Sequence, residues 1–245
     1  MEQKDLTPRQ TELFELIIKD FIETAEPVGS VGLAKKYNLS YSPATIRNEM
    51  QVLIRQGYLK KVHSSSGRVP TYMGLRFYID RMMKEQPIPV LQEVSMKQRL
   101  YDKRFALEHM LRQSVLALSE ITGYMGWACT DDGCVFTSGA VNILNHPEFF
   151  DINYTRETLQ LVDDFDRMFA LFDKARGDKD WHILLGDDLD LESLNQTGVL
   201  FTRFQSGNKK GVVALIGPAR MKYAKAIPVV RYLKGLLEEM GSSWR

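Results

Sequence analysis

The chain has 245 residues, with 32 basic and 31 acidic side chains, a net charge of +1 and 44% hydrophobic residues. That length allows one large or two modest domains, and the ordinary charged and apolar fractions exclude wholesale disorder. No apolar run reaches the roughly 18 residues of a membrane span, and Met1-Glu2-Gln3-Lys4-Asp5 lacks an apolar signal core, so a cytoplasmic location is expected. Cys129 and Cys134 suit free thiols in a reducing compartment, and His63, His109, His146 and His182 are too scattered for a zinc site.

Charge is unevenly spread. Between Pro27 and Ile79 stand eight bases (Lys35, Lys36, Arg47, Arg55, Lys60, Lys61, Arg68 and Arg76) and one acid, Glu49. Residues 151–192 hold 5 bases and 12 acids, whereas residues 193–245 hold 9 bases and 2 acids. These last two blocks are expected to face each other inside one domain, since opposite neighbours reduce self-repulsion.

In chain order, Thr7, Pro8 and Gln10 form a capping box with a first-position proline, and Phe14, Ile17, Ile18, Phe21 and Ile22 recur at helical spacing, giving a helix over 8–24. Ser30 caps a short helix over 31–37, closed by Asn38. Ser42 and Pro43 start a third helix that ends near Gly57. At 100° per residue Ile46, Met50, Leu53 and Ile54 share its core face. Ala44, Asn48, Gln51 and Arg55 fall opposite, with Thr45 and Arg47 on the flanks. Residues 59–70 read as a hairpin: Lys60 and Lys61 on the first strand, a tip of His63, Ser64, Ser65 and Ser66, and Arg68 on the return. A fourth helix follows Thr71, with Leu75, Tyr78, Ile79 and Met82 inward.

Three helices, a basic hairpin and a further helix make a winged helix-turn-helix. The expected DNA contacts are Ser42, Ala44, Thr45, Arg47, Asn48, Gln51 and Arg55 on the reading helix, with Lys60, Lys61, His63, Ser64, Ser65 and Arg68 on the wing. Small and polar groups near a helix N-terminus can reach base edges, and hairpin bases can neutralise backbone phosphates.

Four stretches of this half, Leu6-Thr7-Pro8-Arg9-Gln10, Glu26-Pro27-Val28-Gly29-Ser30, Ser42 to Met50 and Gly67-Arg68-Val69-Pro70-Thr71, closely resemble the bacterial heat-inducible transcription repressor family HrcA. The resemblance implies a repressor of chaperone genes that is released by heat, binds double-stranded DNA at an inverted repeat as a homodimer and has the chaperonin as a partner.

Farther on, residues 86–95 read as a linker with Pro87 and Pro89. A long helix over 96–121 carries Leu107, Leu111, Val115 and Leu118 on a stripe that suits either its own domain or a second subunit. Strands are expected over 123–130, 134–137, 181–185, 199–204 and 211–216, with a turn at Asp131-Asp132-Gly133. A helix over 155–175 should stop at Gly177, and a final helical region from Gly217-Pro218 to Met240 should be kinked or split by Pro228. The whole is α+β: a winged-helix domain at 1–85, a linker, and an antiparallel sheet with helices at 96–245.

The second half resembles the same family at Leu118 to Tyr124, Asn142 to Phe149 and Gly217 to Tyr223, which implies a GAF-like regulatory and dimerisation domain. Family members usually carry on the order of a hundred further residues, including a dimerising insert, where this chain has only residues 131–141. A reduced sheet is therefore expected.

Nothing suggests a reaction. Gly211 to Gly217 has glycines only at its ends and is no phosphate loop, and Asp187, Asp188, Asp190 and Glu192 read as a solvated loop. No catalytic, cofactor-binding or metal residue is expected. Two other readings stand beside the repressor: a ligand-sensing GAF-like regulator, and a protein-interaction adaptor that has lost DNA binding.

Overall fold

The computed structural model describes residues 6–62, 67–175, 179–189 and 194–241. The chain forms two compact units, Met1–Lys84 and Glu85–Arg245.

In the first unit α1 (Pro8–Thr24), α2 (Ser30–Lys36) and α3 (Pro43–Arg55) precede a hairpin of β1 (Leu59–Lys61) and β2 (Arg68–Pro70), then α4 (Tyr72–Arg81). α1 begins at the expected box: the Thr7 hydroxyl accepts from the Gln10 amide at 3.3 Å, and the Gln10 side chain accepts from the Thr7 amide at 3.1 Å. For α2 the cap is Gly29, and Ser30 is instead the first, buried, helical residue. Asn38 takes the left-handed conformation at φ 48°, as its place after the helix requires. Leu13, Phe14, Ile17, Ile18, Leu33, Ile46, Leu53 and Leu59 build the core. Phe14, Tyr58 and Phe77 add a ring cluster, with Phe14–Tyr58 centroids 5.5 Å apart and Tyr58–Phe77 4.7 Å apart.

The second unit opens with α5 (Val90–Tyr101) and α6 (Leu107–Thr122). The single helix expected over 96–121 is thus broken by a turn after Tyr101, and the expected linker is helical from Val90 onward. An antiparallel sheet follows in the order β4-β3-β7-β6-β5. Its strands are β3 (Met125–Thr130), β4 (Val135–Ser138), β5 (His182–Leu185), β6 (Thr197–Ser206) and β7 (Lys209–Pro218). The helix expected over 155–175 is two, α7 (Ile152–Asp163) and α8 (Phe165–Lys174), because the extended Asp164 between them caps the second through the Arg167 amide. Gly177 lies outside the described residues. α9 (Tyr223–Gly241) closes the chain.

Alternation along the strands sorts side chains onto two faces. Trp127, Cys129, Phe201, Val212 and Ala214 pack under α7 and α8, and the Trp127 indole donates to the Val162 carbonyl at 3.2 Å. On the other face lie α6 and α9. At Gly126 a Cβ would stand 2.5 Å from the Val115 carbonyl oxygen, so only glycine lets α6 approach β3 so closely. The Leu111, Val115 and Leu118 stripe is buried there, on its own unit rather than on a second copy. Residues 131–141 form a turn, the edge strand β4 and the left-handed Gly139, after which the Asn142 amide ties the chain back to the Ser119 hydroxyl at 2.9 Å and the Tyr124 carbonyl at 3.2 Å.

Gly217 and Pro218 end β7 instead of starting a helix, and Pro228 lies inside an unbroken α9. Proline has no N–H to give the carbonyl four residues back, and that carbonyl, of Ala224, accepts instead from the Gln86 amide at 2.8 Å. One turn on, Arg231 holds Glu85 through two hydrogen bonds of 2.9 Å. The acidic and basic blocks meet at Lys234–Asp180 (3.2 Å) and Arg203–Asp173 (4.0 Å).

Candidate nucleic-acid interface

The candidate interface begins with how α3 is held. Ser42 accepts from the Thr45 amide at 3.1 Å, and the two hydroxyls share a hydrogen bond of 2.9 Å. Glu49, the sole acid of the basic segment, is not on the surface: it is buried among Ile46, Met50 and Leu53. There its carboxylate pairs with Arg9 and accepts from the Gln10 side-chain amide at 3.0 Å. Gln10 therefore serves the α1 cap with its oxygen and α3 with its nitrogen. Sequence reasoning missed this joint, although at 100° per residue Glu49 lies only about 40° beyond Leu53, beside the apolar arc of α3.

With the acid turned inward, the outer face of α3 is left to small and basic groups. Ala44, Arg47, Asn48 and Arg55 are exposed, Thr45 and Gln51 half-buried. Lys60 and Lys61 are exposed on β1, Lys60 standing 5.8 Å from the Tyr72 ring centre. Among the described residues no carboxylate lies within ion-pair distance of Arg47, Arg55, Lys60 or Lys61. Lys36 is different. It is bound to Asp20 at 2.6 Å and Glu23 at 3.0 Å, and those hydrogen bonds hold its ammonium above the ordinary lysine range. It drops out of the basic island.

The wing is fastened more firmly than a two-stranded hairpin. Val28 and Arg68 exchange both backbone hydrogen bonds, at 2.8 and 2.9 Å, adding a third short rung to β2. A Cβ on Gly67 would lie 2.6 Å from the Pro27 and Val28 backbone. Thr71 caps α4 through the Gly74 amide at 3.0 Å and donates to the Gly57 carbonyl at 2.6 Å. Arg68 itself is half-buried, with one guanidinium nitrogen 3.4 Å from the Gly67 carbonyl. Of the expected wing contacts, His63, Ser64 and Ser65 lie outside the described residues, as do Asp190 and Glu192 of the acidic cluster. The rest of that cluster is structural in part, since Asp188 accepts from the Leu185 amide at 2.7 Å. Among the described residues no cluster of His, Cys, Asp or Glu suits a metal, and no helix is long and apolar enough to cross a membrane.

A second convergence lies in the other unit, where the three stretches quoted for its resemblance meet. Glu148 and Arg220 form a buried ion pair with contacts of 2.5 and 3.0 Å. The Tyr124 hydroxyl accepts from the Lys222 amide at 2.8 Å, and its ring stacks on His146 at 5.4 Å. Burial, and next the positive charge of Arg220, push the His146 pKa down. This is a joint closing the sheet end, in which Glu148 pairs with Arg220 and Tyr124 with the Lys222 amide, while the buried His146 Nε2 has no hydrogen-bond partner among the described residues.

The family model for the HrcA protein C terminal domain matches residues 74–227. The heat-inducible transcription repressor HrcA of Acetivibrio thermocellus is 26% identical over 336 aligned positions that cover 96% of each chain. That of Lysinibacillus sphaericus is also 26% identical, over 94% of this chain and 96% of its own. An alignment of 336 positions on a chain of 245 residues leaves many residues of the relative without a counterpart here. A crystal structure described as a hypothetical protein shares the fold, with a TM-score of 0.78 at 18% identity over 98% of this chain and 99% of its own. With the family model spanning well over half its length, the chain belongs to the HrcA family.

Proposed function

We propose that this protein is a heat-inducible transcription repressor of chaperone genes that binds an inverted-repeat operator as a homodimer. The observation that carries this reading is the outer face of α3. Arg47 and Arg55 stand there without carboxylate partners among the described residues, beside Lys60 and Lys61, in a chain whose relatives are named heat-inducible transcription repressors.

A helix of 13 residues is about 20 Å long and enters a major groove about 12 Å wide. Its N-terminal turn, from Ser42 through Asn48, lies closest to the bases, with Arg47 and Asn48 as base contacts and Thr45, Gln51 and Arg55 flanking them. Ser42 and Ala44 leave room for close approach. Lys60 and Lys61, with Arg68 and the His63–Ser65 tip, hold the neighbouring phosphates. A two-fold pair presents two such helices roughly 34 Å apart, matching the half-sites of an inverted repeat. The bound dimer blocks polymerase. Heating loosens the second unit or the pairing, the spacing of the reading helices is lost, and the operator is released; the chaperonin restores the active form. No enzymatic reaction is assigned.

Arg47→Ala is the sharpest test. Loss of about 1–3 kcal/mol on the operator, confined to one base position, fits base reading. An equal loss on operator and random DNA makes Arg47 a phosphate contact, and no loss on either removes α3 from the interface.

A groove of about 340 Å³ where α8 meets the β6–β7 hairpin, lined by Phe169, Phe172, Phe204, Arg203 and Lys210, favours a second reading, a ligand-sensing regulator. A small molecule that shifts both the melting temperature and operator affinity would support it.

A further inference from the structure

We infer that α5 is the surface through which two copies of this chain pair. Met96 and Leu100 point inward and are fully buried. On the opposite side of the same helix Val90, Leu91, Val94 and Tyr101 are 72%, 84%, 57% and 51% exposed, and Phe105, just past its end, is 79% exposed. At 100° per residue Val90, Leu91, Val94, Gln98 and Tyr101 fall within about a third of a turn of one another. α5 is therefore apolar on two faces and covers only one of them within its own unit. A helix of that pattern is at rest when both faces are buried.

The occupant is a second copy, on two grounds. The first is area. The five exposed side chains offer roughly 500–600 Å² per copy, so a symmetric pair that covers them removes up to about 1,000–1,200 Å² from water. With the flanking polar residues this reaches the lower end of stable specific interfaces. The second is charge. Glu85, Lys97 and Arg99 are paired within their own unit with Arg231, Glu239 and Glu120; beyond those pairs Glu93 leaves the N-terminal end of this segment acidic, and Lys103 and Arg104, against Asp102, leave its C-terminal end basic. An antiparallel two-fold pairing sets acidic end against basic end and opposes the helix dipoles, whereas a parallel one stacks like charges. Centred on Gln98, it places Leu91 against Phe105 and Val94 beside Tyr101, with the two Gln98 amides meeting at the axis. The Arg104 guanidinium, 3.8 Å from the Tyr101 ring centre and 4.2 Å from that of Phe105, props these rings at the edge of the stripe.

The pairing supplies the two-fold arrangement that the proposed operator binding uses, but its test needs no DNA. Light scattering on the full chain is expected to give the mass of two copies. Leu91→Glu combined with Val94→Glu should reduce it to one, with unfolding temperature and circular dichroism unchanged. Phe150→Glu, on an exposed apolar residue elsewhere, should leave two copies intact. A Gln98→Cys, Cys134→Ser chain treated with oxidised glutathione should form a covalent dimer, and Val141→Cys in the same background should not. A wild-type monomer, a Leu91/Val94 variant that stays dimeric, or crosslinking at position 141 but not 98 overturns the inference. A monomer that still prefers operator half-site DNA overturns the pairing alone and leaves the repressor reading standing.

Discussion

Glu49 is the residue on which the placement of α3 most depends. Replacing it with alanine strands the Gln10 side-chain nitrogen, which is buried and donates to Glu49 at 3.0 Å. A buried donor left without a partner costs about 1–3 kcal/mol. The Arg9 partner is 48% exposed, so solvent screening limits the loss of that ion pair to roughly 1 kcal/mol at most. A total near 2 kcal/mol corresponds to about thirtyfold faster opening of the first unit. Native-state hydrogen exchange resolves this. Amides of α1 and α3 should exchange about thirtyfold faster in Glu49→Ala, while those of β6 and β7 stay as they are. Glu49→Gln keeps an oxygen for Gln10 and loses only the charge, so it should fall between the two. Exchange at the wild-type rate in Glu49→Ala, or identical behaviour of Ala and Gln, refutes the reasoning that this carboxylate fixes α3 to α1.

The remaining predictions concern the wing, its charges, the thiols and a histidine. Gly67→Ala drives a Cβ into the Pro27–Val28 backbone, which has no flexible end to yield, so thermal unfolding of the first unit should fall by about 1–3 kcal/mol; an unchanged melt contradicts this packing. Lys60→Ala and Lys61→Ala should each lower the salt slope of operator binding by about 0.9, and a slope that does not move takes that lysine off the phosphates. Burial pushes the Cys129 thiol up to about 12. A thiol reagent should therefore label the half-buried Cys134 in the native protein and reach Cys129 only on unfolding; equal labelling speaks against the β3 register. His146 is held neutral by burial and by Arg220, so its folded pKa lies below the ordinary 6.5. Below that value the unfolded chain binds the proton more readily than the folded one. Stability of the second unit should decline as pH drops through 6.5 toward the lower folded value, and His146→Asn should flatten the decline; an equally steep decline in the variant assigns it to other groups.

The first unit was readable because its signals are local. Thr7, Ser42 and Thr71 cap where their types and spacings say they should, and the apolar arc of α3 separates its two faces within four turns. What stayed hidden was the partner across space. The burial of Glu49 was not readable because nothing in its own helix reveals Arg9 and Gln10 opposite. Ser30 looked like a cap for a related reason, since burial rather than local hydrogen bonding decides its place. In the second unit the turn between α5 and α6 contains neither glycine nor proline, so a continuous helical pattern ran through it. Asp164 breaks α7 from α8 by taking an extended conformation in which its side chain caps the next helix. Pro228 gave the opposite error. A proline should disrupt a helix, but the carbonyl it frees on Ala224 is satisfied by Gln86, from more than a hundred residues earlier. The outer face of α3 and the β1 lysines were legible from spacing and composition. That Lys36 is neutralised by Asp20 and Glu23 of α1 was not.

The most direct test of the repressor reading is binding of the purified full chain to a chaperone-operon promoter fragment from its own genome, measured against a scrambled fragment of equal length and salt. Tight binding that prefers the promoter by a hundredfold or more, footprints an inverted repeat and is lost on heating is the predicted result. Weak binding that is equal on both fragments at every temperature contradicts it.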